Sequence, residues 1–282
     1  MNRIDQIFTQ LRQGKGKHRG ALMPYVTAGD PDVRTTGRLL EAAQAAGASV
    51  CEVGIPFSDS IADGPVIQSS MTYALGRGLK VAHVLQMVAD ARSKLRMGLV
   101  AMVSYTIVHR IGAQRFVGDA AAAGFDGFIF PDLPVDESEA VMQTVAQAGL
   151  ACSVLIAPTT PIDRARRIAA TSSGFVYLLS RAGITGERSA LPPDLSQRIQ
   201  RLREVTDLPI AVGFGISSAQ QVHDVVQVAD AAIVGSALMR RVAEHREAGS
   251  QAVVDQVSRF VHELAGGLGD QAPGRGGGAS AG

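Results

Sequence analysis

Residues 49–68 read SVCEVGIPFSDSIADGPVIQ, and the first seven decide how the chain is built. SVCEVGI is a short, near-continuous apolar run, which points to a strand buried on both faces, as in a parallel sheet covered by helices. Yet Glu52 sits inside it, and Asp59 and Asp63 follow in a loop rich in Gly and Pro. An ionised carboxylate in apolar surroundings is costly unless something compensates it.

Seven more runs of this kind recur. They are ALMPYVTAG from residue 21, LVAMVSY from 99, GFIFPD from 127, ACSVLIA from 151, FVYLLSR from 175, PIAVGFG from 209 and AAIVGSA from 231. Helix-patterned stretches separate them. PDVRTTGRLLEAAQAAGA has Pro and Asp at its start and Gly47 near its stop, and VDESEAVMQTVAQAGL places acidic residues in a first turn, where the helix dipole favours them. Eight βα units predict a single (β/α)8 barrel over residues 1–265. An open, doubly wound sheet shares the pattern and stays as the alternative. The spacing predicts an extra helix over 2–13 that closes the bottom of the barrel. The Gly-rich stretch 266–282 predicts a disordered tail. Its GRGGG follows no strand and opens no helix, so it is not read as a phosphate loop.

Composition narrows the function. The chain has 282 residues, 46% of them hydrophobic, and a net charge of +1 with both signs spread along it. It lacks the basic patch expected of a nucleic-acid partner. No apolar run is long enough for a membrane span, and MNRIDQIFTQLRQ has no signal-peptide core, so a cytoplasmic protein is expected. Cys51 and Cys152 lie in strand-like runs and read as small core residues. The six histidines show no ligand spacing, and no metal site is expected.

A barrel carries its chemistry at the C-terminal ends of its strands. Polar and aromatic residues gather there: Tyr25 and Thr27 at the end of strand one, Glu52 in strand two, Asp59 and Asp63 in its loop. Tyr105 falls at the end of strand three, Asp132 at the end of strand four, and Tyr177 in strand six. If Glu52 faces the barrel interior, desolvation raises its pKa towards neutrality, as an acid/base group needs. The competing reading is a structural glutamate paired with Arg181. Asp63, in ADGP, fits a turn residue as well as a functional one. Tyr105 and Tyr177 also fit ordinary core positions. The loops after strands six, seven and eight hold Thr185-Gly186, GFGISS at 213–218 and VGSA at 234–237, glycine-bearing turns of the kind that bring backbone N–H groups to a phosphate. GFGISS lacks the third glycine of a dinucleotide fingerprint, so no nicotinamide cofactor is implied. From the residues alone the chain reads as a barrel enzyme for a small phosphorylated substrate, working by carboxylate acid/base catalysis. A non-catalytic barrel that only holds such a ligand is the competing class.

The ordered set PYVTAGDP (24–31), EVGIPFSDSIADGPVIQ (52–68), FPDLPVDE (130–137), YLLSRAGITGERSAL (177–191), GFGISS (213–218) and GSA (235–237) resembles the tryptophan synthase α-subunit family over nearly the whole chain. The resemblance implies retro-aldol cleavage of indole-3-glycerol phosphate to indole and glyceraldehyde 3-phosphate. Glu52 matches the family's acid/base glutamate and Asp63 the aspartate that holds the indole N–H. Tyr177 matches a tyrosine beside the substrate, and Thr185 the threonine of a closing loop. Gly186, Gly215, Gly235 and Ser236 match phosphate-site positions. Tyr25, Thr27 and Tyr105 are expected substrate contacts. The resemblance further implies an α2β2 assembly with a tryptophan synthase β subunit, which carries the pyridoxal phosphate; the α chain itself needs no cofactor. Two regions the family uses to meet that partner depart from its pattern. Ser60 replaces a proline after Asp59, and Ile107 replaces an asparagine after Tyr105. A paired subunit and a stand-alone indole-releasing paralogue are both compatible with these changes.

Overall fold

The computed structural model describes residues 1–15, 18–60, 63–180, 191–213 and 215–269. Its strands are β1 (Ala21–Thr27), β2 (Val50–Gly54), β3 (Gly98–Met102), β4 (Gly127–Ile129), β5 (Ala151–Ser153), β6 (Leu155–Ile156), β7 (Val176–Leu179), β8 (Ile210–Gly213) and β9 (Ala231–Val234). The pairings are parallel, in the order β5-β4-β3-β2-β1-β9-β8-β7-β6. The two ends of that order, β5 and β6, are consecutive in the chain with Val154 between them. One segment therefore pairs with β4 on one side and β7 on the other, and the sheet closes into a barrel. This resolves the choice against an open sheet. The eight expected runs all form strands; the fifth is broken in two at Val154, which is why nine segments are seen.

The helices are α1 (Arg3–Arg12), α2 (Val33–Ala45), α3 (Pro65–Gly76), α4 (Val81–Arg92), α5 (Tyr105–Ile111), α6 (Ala113–Ala123), α7 (Glu139–Gln147), α8 (Ile162–Thr171), α9 (Leu195–Arg203), α10 (Ala219–Val226), α11 (Ser236–His245) and α12 (Ser250–Ala265). Along the wall α12 packs on α2, α2 on α4, α4 on α6 and α6 on α7. Helices α3, α5 and α11 are additions after β2, β3 and β9. The long gap between the second and third runs thus holds a loop at the C-terminal end of β2 and an extra helix. Asp32 caps α2, accepting the Thr35 N–H at 2.7 Å, as the Pro-Asp start implies. The expected acidic first turn of α7 holds for Glu139, the helix's first residue, whereas Asp136 and Glu137 lie ahead of it in a 3-10 turn, Val135–Glu137.

Strand parity divides the core as expected of a barrel. Met23, Val50, Val100, Ile129, Ala211 and Ile233 fill the interior, while Leu22, Cys51, Leu99, Phe128, Val212 and Ala232 face the helices. Helix α1 stops the bottom of the interior with Ile4 and Phe8, both fully buried, and Phe8 packs on Phe175 at 5.9 Å between ring centres. Two ion pairs fix its ends: Arg3 to Asp126 at 2.9 Å and Arg12 to Asp230 at 3.1 Å. At the other terminus the ordered packing runs past residue 265. Gly266–Leu268 is a 3-10 turn with Gly267 and Leu268 buried against α10, so residues 266–268 belong to the packed barrel rather than to the expected tail, because Leu268 is a core residue. Residues 270–282 lie outside the described residues. Cys51 and Cys152 are buried and unpaired. Among the described residues no helix is long and apolar enough to cross a membrane.

Candidate active site

Glu52 is the central residue of β2, 1% exposed, and shares the inward parity of Val50. In register it stands beside Tyr25 of β1 and Val100 of β3. Its Oε1 has no hydrogen-bond partner among the described residues. Burial without a compensating charge pushes its pKa up to about 8. Arg181, the proposed structural partner, lies outside the described residues. Among the described residues, Glu52 is thus an inward carboxyl with one unpartnered oxygen, and its burial favours the protonated form.

Asp63 stands at the turn that leads into α3, half-buried, and burial lifts its pKa to about 6. The turn is built from backbone and amide bonds. The Asp63 N–H donates to the Ser60 carbonyl at 3.0 Å, and the Gln68 amide donates to the Asp63 and Ser60 carbonyls at 2.8 and 3.1 Å. Ser60 therefore completes this turn without the proline of the family pattern. Asp59 is exposed and Ile107 half-buried against the core.

Tyr25 and Tyr177 complete the cluster. Both are 4% exposed. The Tyr25 phenol is raised well above its ordinary range by burial first, then by the Asp63 charge, with Glu52 adding to it. Tyr177 is raised by burial, then by Glu52 and Asp63. Two carboxyls and two phenols thus share one electrostatic neighbourhood at the mouth of the barrel, and both phenols keep their protons. The Thr27 hydroxyl donates to the Tyr25 oxygen at 3.4 Å.

Two expected strand-end residues are elsewhere. Tyr105 is the first residue of α5, because β3 stops at Met102 and Ser104 caps the helix. Its ring meets Phe130 edge-on at 6.1 Å. Asp132 is in the turn beyond β4, exposed, where it accepts from Ser104 Oγ at 2.5 Å and the Tyr105 N–H at 2.8 Å. Asp132 therefore ties the loops after β3 and β4 together.

On the opposite side of β1, strands β8 and β9 are neighbours. Gly215 has φ +83°, a conformation that favours glycine. Ser218 caps α10, but α11 starts at Ser236 behind Gly235 with no side-chain cap. Leu238 N–H donates to the Gly235 carbonyl at 2.9 Å, and among the described residues no side chain caps the two N–H groups ahead of it, a helix start suited to an anion. Thr185 and Gly186 lie outside the described residues. A separate surface cleft of about 740 Å³ between α2 and α4, lined by Arg38, Glu41, His83 and Lys94, contains none of these groups.

Sequence reasoning passed over Asp30, in the loop after β1. It is fully buried and held by a two-pronged Arg246 fork, Nε to Oδ1 at 2.7 Å and Nη2 to Oδ2 at 2.6 Å. Its position directly after a strand, at the barrel mouth, was the available signal.

The family model for the tryptophan synthase alpha chain matches residues 11–267. The tryptophan synthase alpha chain of Rhodopirellula baltica is 45% identical over 266 residues, covering 93% of this chain and 95% of that one. That of Rippkaea orientalis is 41% identical over 245 residues, covering 86% and 91%. Among solved structures, the aminoacrylate-bound tryptophan synthase of Mycobacterium tuberculosis superposes with a TM-score of 0.83 at 30% identity, covering 95% of this chain and 100% of that one. The tryptophan synthase complex of Pyrococcus furiosus gives 0.80 at 34% identity, covering 89% and 100%. Likeness of this extent, on a barrel with its carboxyls at the mouth, identifies the chain as a member of the tryptophan synthase alpha chain family, a lyase of tryptophan biosynthesis.

Proposed function

We propose that the chain cleaves indole-3-glycerol phosphate to indole and glyceraldehyde 3-phosphate, with Glu52 as acid/base and Asp63 as the indole anchor. The observation that carries this reading is the buried, inward Glu52 carboxyl, whose Oε1 has no partner among the described residues and whose pKa burial lifts to about 8, in the same electrostatic neighbourhood as Asp63. The protonated Glu52 donates to the ring carbon that bears the side chain. Positive charge spreads to the indole nitrogen, where the Asp63 carboxylate accepts the N–H and stabilises it. The carbon–carbon bond then breaks, its electrons restore the aromatic ring, and the glycerol hydroxyl beside the broken bond loses its proton to the Glu52 carboxylate. Indole and an aldehyde leave, and Glu52 is protonated again. Tyr25, Thr27, Tyr105, Tyr177 and Thr185 are proposed to line the substrate. Gly186, Gly215, Gly235 and Ser236 are proposed to hold its phosphate, a role supported by the uncapped start of α11.

The proposed partner is a tryptophan synthase β subunit in an α2β2 assembly, which would consume the indole with its own pyridoxal phosphate. The Asp63 turn keeps its bonds with Ser60 in place of proline, which supports retained pairing. A cytosolic setting fits two buried thiols that form no disulfide. The test is indole release from indole-3-glycerol phosphate, with and without a β subunit. The paired reading expects slow release alone and strong activation on complex formation. Full turnover alone with no complex on gel filtration identifies a stand-alone lyase. No indole under either condition overturns the reaction assignment.

A further inference from the structure

Strand β1 lies between β2 and β9 in the sheet. The loop after β2 carries Asp63 and runs into α3, and the turn after β9 opens α11. These two added helices pack on each other and both touch β1. Asp30, in the β1 loop, bonds to both. From α3 it accepts Ser70 Oγ at 2.5 Å, and Ser70 is 1% exposed. From the end of α11 it accepts the two-pronged Arg246 fork. The same guanidinium lies over the Tyr73 ring of α3 at 3.9 Å from its centre. Ser70 and Tyr73 are three residues apart, on one face of α3.

Each helix reaches one end of the proposed substrate site. Helix α3 begins two residues after Asp63, and Gln68 in its first turns holds the Asp63 carbonyl at 2.8 Å. Helix α11 begins at Ser236, at the proposed phosphate end. We propose that Asp30 and Arg246 act as positioning residues, a strut that joins α3 to α11 and so fixes the span between the indole anchor and the phosphate anchor. The proposal rests on the substrate reading above. Its logic is that a rigid spacing between two anchors benefits a ligand that uses both at once, and leaves a ligand that uses one indifferent. An arginine suits this place because its planar fork bonds both carboxylate oxygens while its face stacks on an aromatic ring; a lysine does neither.

The test compares Arg246→Lys, Ser70→Ala and Tyr73→Leu with the unaltered chain. Four quantities are measured: kcat and KM for indole-3-glycerol phosphate, the Kd of inorganic phosphate, the Kd of indole, and the thermal midpoint. Arg246→Lys is expected to lower kcat/KM roughly 10- to 100-fold, with both fragment affinities unchanged. Ser70→Ala and Tyr73→Leu are expected to move the same way by smaller factors, and they decide the matter if Arg246→Lys does not fold. Fragment affinities that fall in step with kcat/KM overturn the strut, because they mark general loosening. Unchanged kcat/KM in all folded variants also overturns it. An unaltered chain that releases no indole with or without a β subunit removes both this proposal and the reaction assignment, whereas an active chain with indifferent variants removes the strut alone.

Discussion

A side-chain carbon on Gly54 would lie 2.0 Å from the hydroxyl oxygen of Tyr25. Tyr25 stands beside Glu52 in register, so its ring reaches forward along β2, past the carboxyl, to the strand's last residue. The relationship recurs across the barrel. Tyr177 stands beside Ala211, and a carbon on Gly213 would lie 2.4 Å from its hydroxyl. Two glycines at strand ends are sockets for two interior phenols. Gly54→Ala is expected to displace the Tyr25 ring from beside Glu52. Overpacking of this kind costs about 1–3 kcal/mol, so the barrel still folds, while kcat/KM for indole release drops roughly 100-fold. Circular dichroism and steady-state kinetics on one preparation check both halves.

The proposed acid/base chemistry by two carboxyls sets a pH profile. In that proposal Asp63, at about 6, is ionised to accept the indole N–H, and Glu52, at about 8, is protonated to donate. The profile of kcat/KM is expected to rise through about pH 6 and fall through about pH 8. Asp63→Asn is expected to lose roughly 10²–10³ in rate, and Glu52→Gln roughly 10²–10⁴. A profile flat from pH 6.5 to 9 would exclude Glu52 as the donor.

Glu52 also ties stability to pH. Its folded pKa, about 8, lies above its ordinary 4.5, so the folded state holds a proton that the unfolded chain releases. Stability from this group is fully present below about pH 4.5 and is lost as pH rises towards 8. Glu52→Gln removes that loss. In urea unfolding the variant is expected to gain on the unaltered chain from pH 5 to pH 8, by on the order of a few kcal/mol at the upper end. A gap that narrows with rising pH would reveal a cation paired with Glu52.

The plug at the bottom separates stability from chemistry. Phe8 is 1% exposed and lies at the end of the barrel opposite the carboxyls. Phe8→Ala is expected to cost about 3–5 kcal/mol in urea unfolding. At a temperature where the variant remains folded, its kcat and KM for indole release should match those of the unaltered chain.

Much of this molecule can be read in the chain, for physical reasons. Eight apolar runs spaced by helix patterns force a covered parallel sheet, and the parity of Glu52 with Val50 turns its carboxyl inward. Tyr105 and Asp132 were misplaced by the same rule. An apolar run does not reveal where its ladder stops, and Ser104 ended β3 by capping a helix. Leu268 escaped because the eight glycines of 266–282, three of them Gly266, Gly267 and Gly269 beside it, disguise a single core residue. Asp30 and Arg246 are 216 positions apart. No local pattern pairs them; only the adjacency of β1 and β9 does.

The break at Val154 makes the barrel a strip fastened end to end. On one side of it β4 and β5 share three residue pairs, and on the other β6 and β7 share two, whereas β2 and β3 share five. Beside the fastening, the Cys152 and Val154 amides turn away to the hydroxyls of Ser173 and Ser172. Such a wall has a clasp, and a clasp is where a ring opens. In deuterium exchange the amides of 151–156 should be the first of the barrel strands to trade their hydrogens, well before β1 and β2. Tyr177 on β7 lies beside the fastening, but Tyr25 and Glu52 stand on β1 and β2, the middle of the strip, so the ring can breathe without moving Glu52.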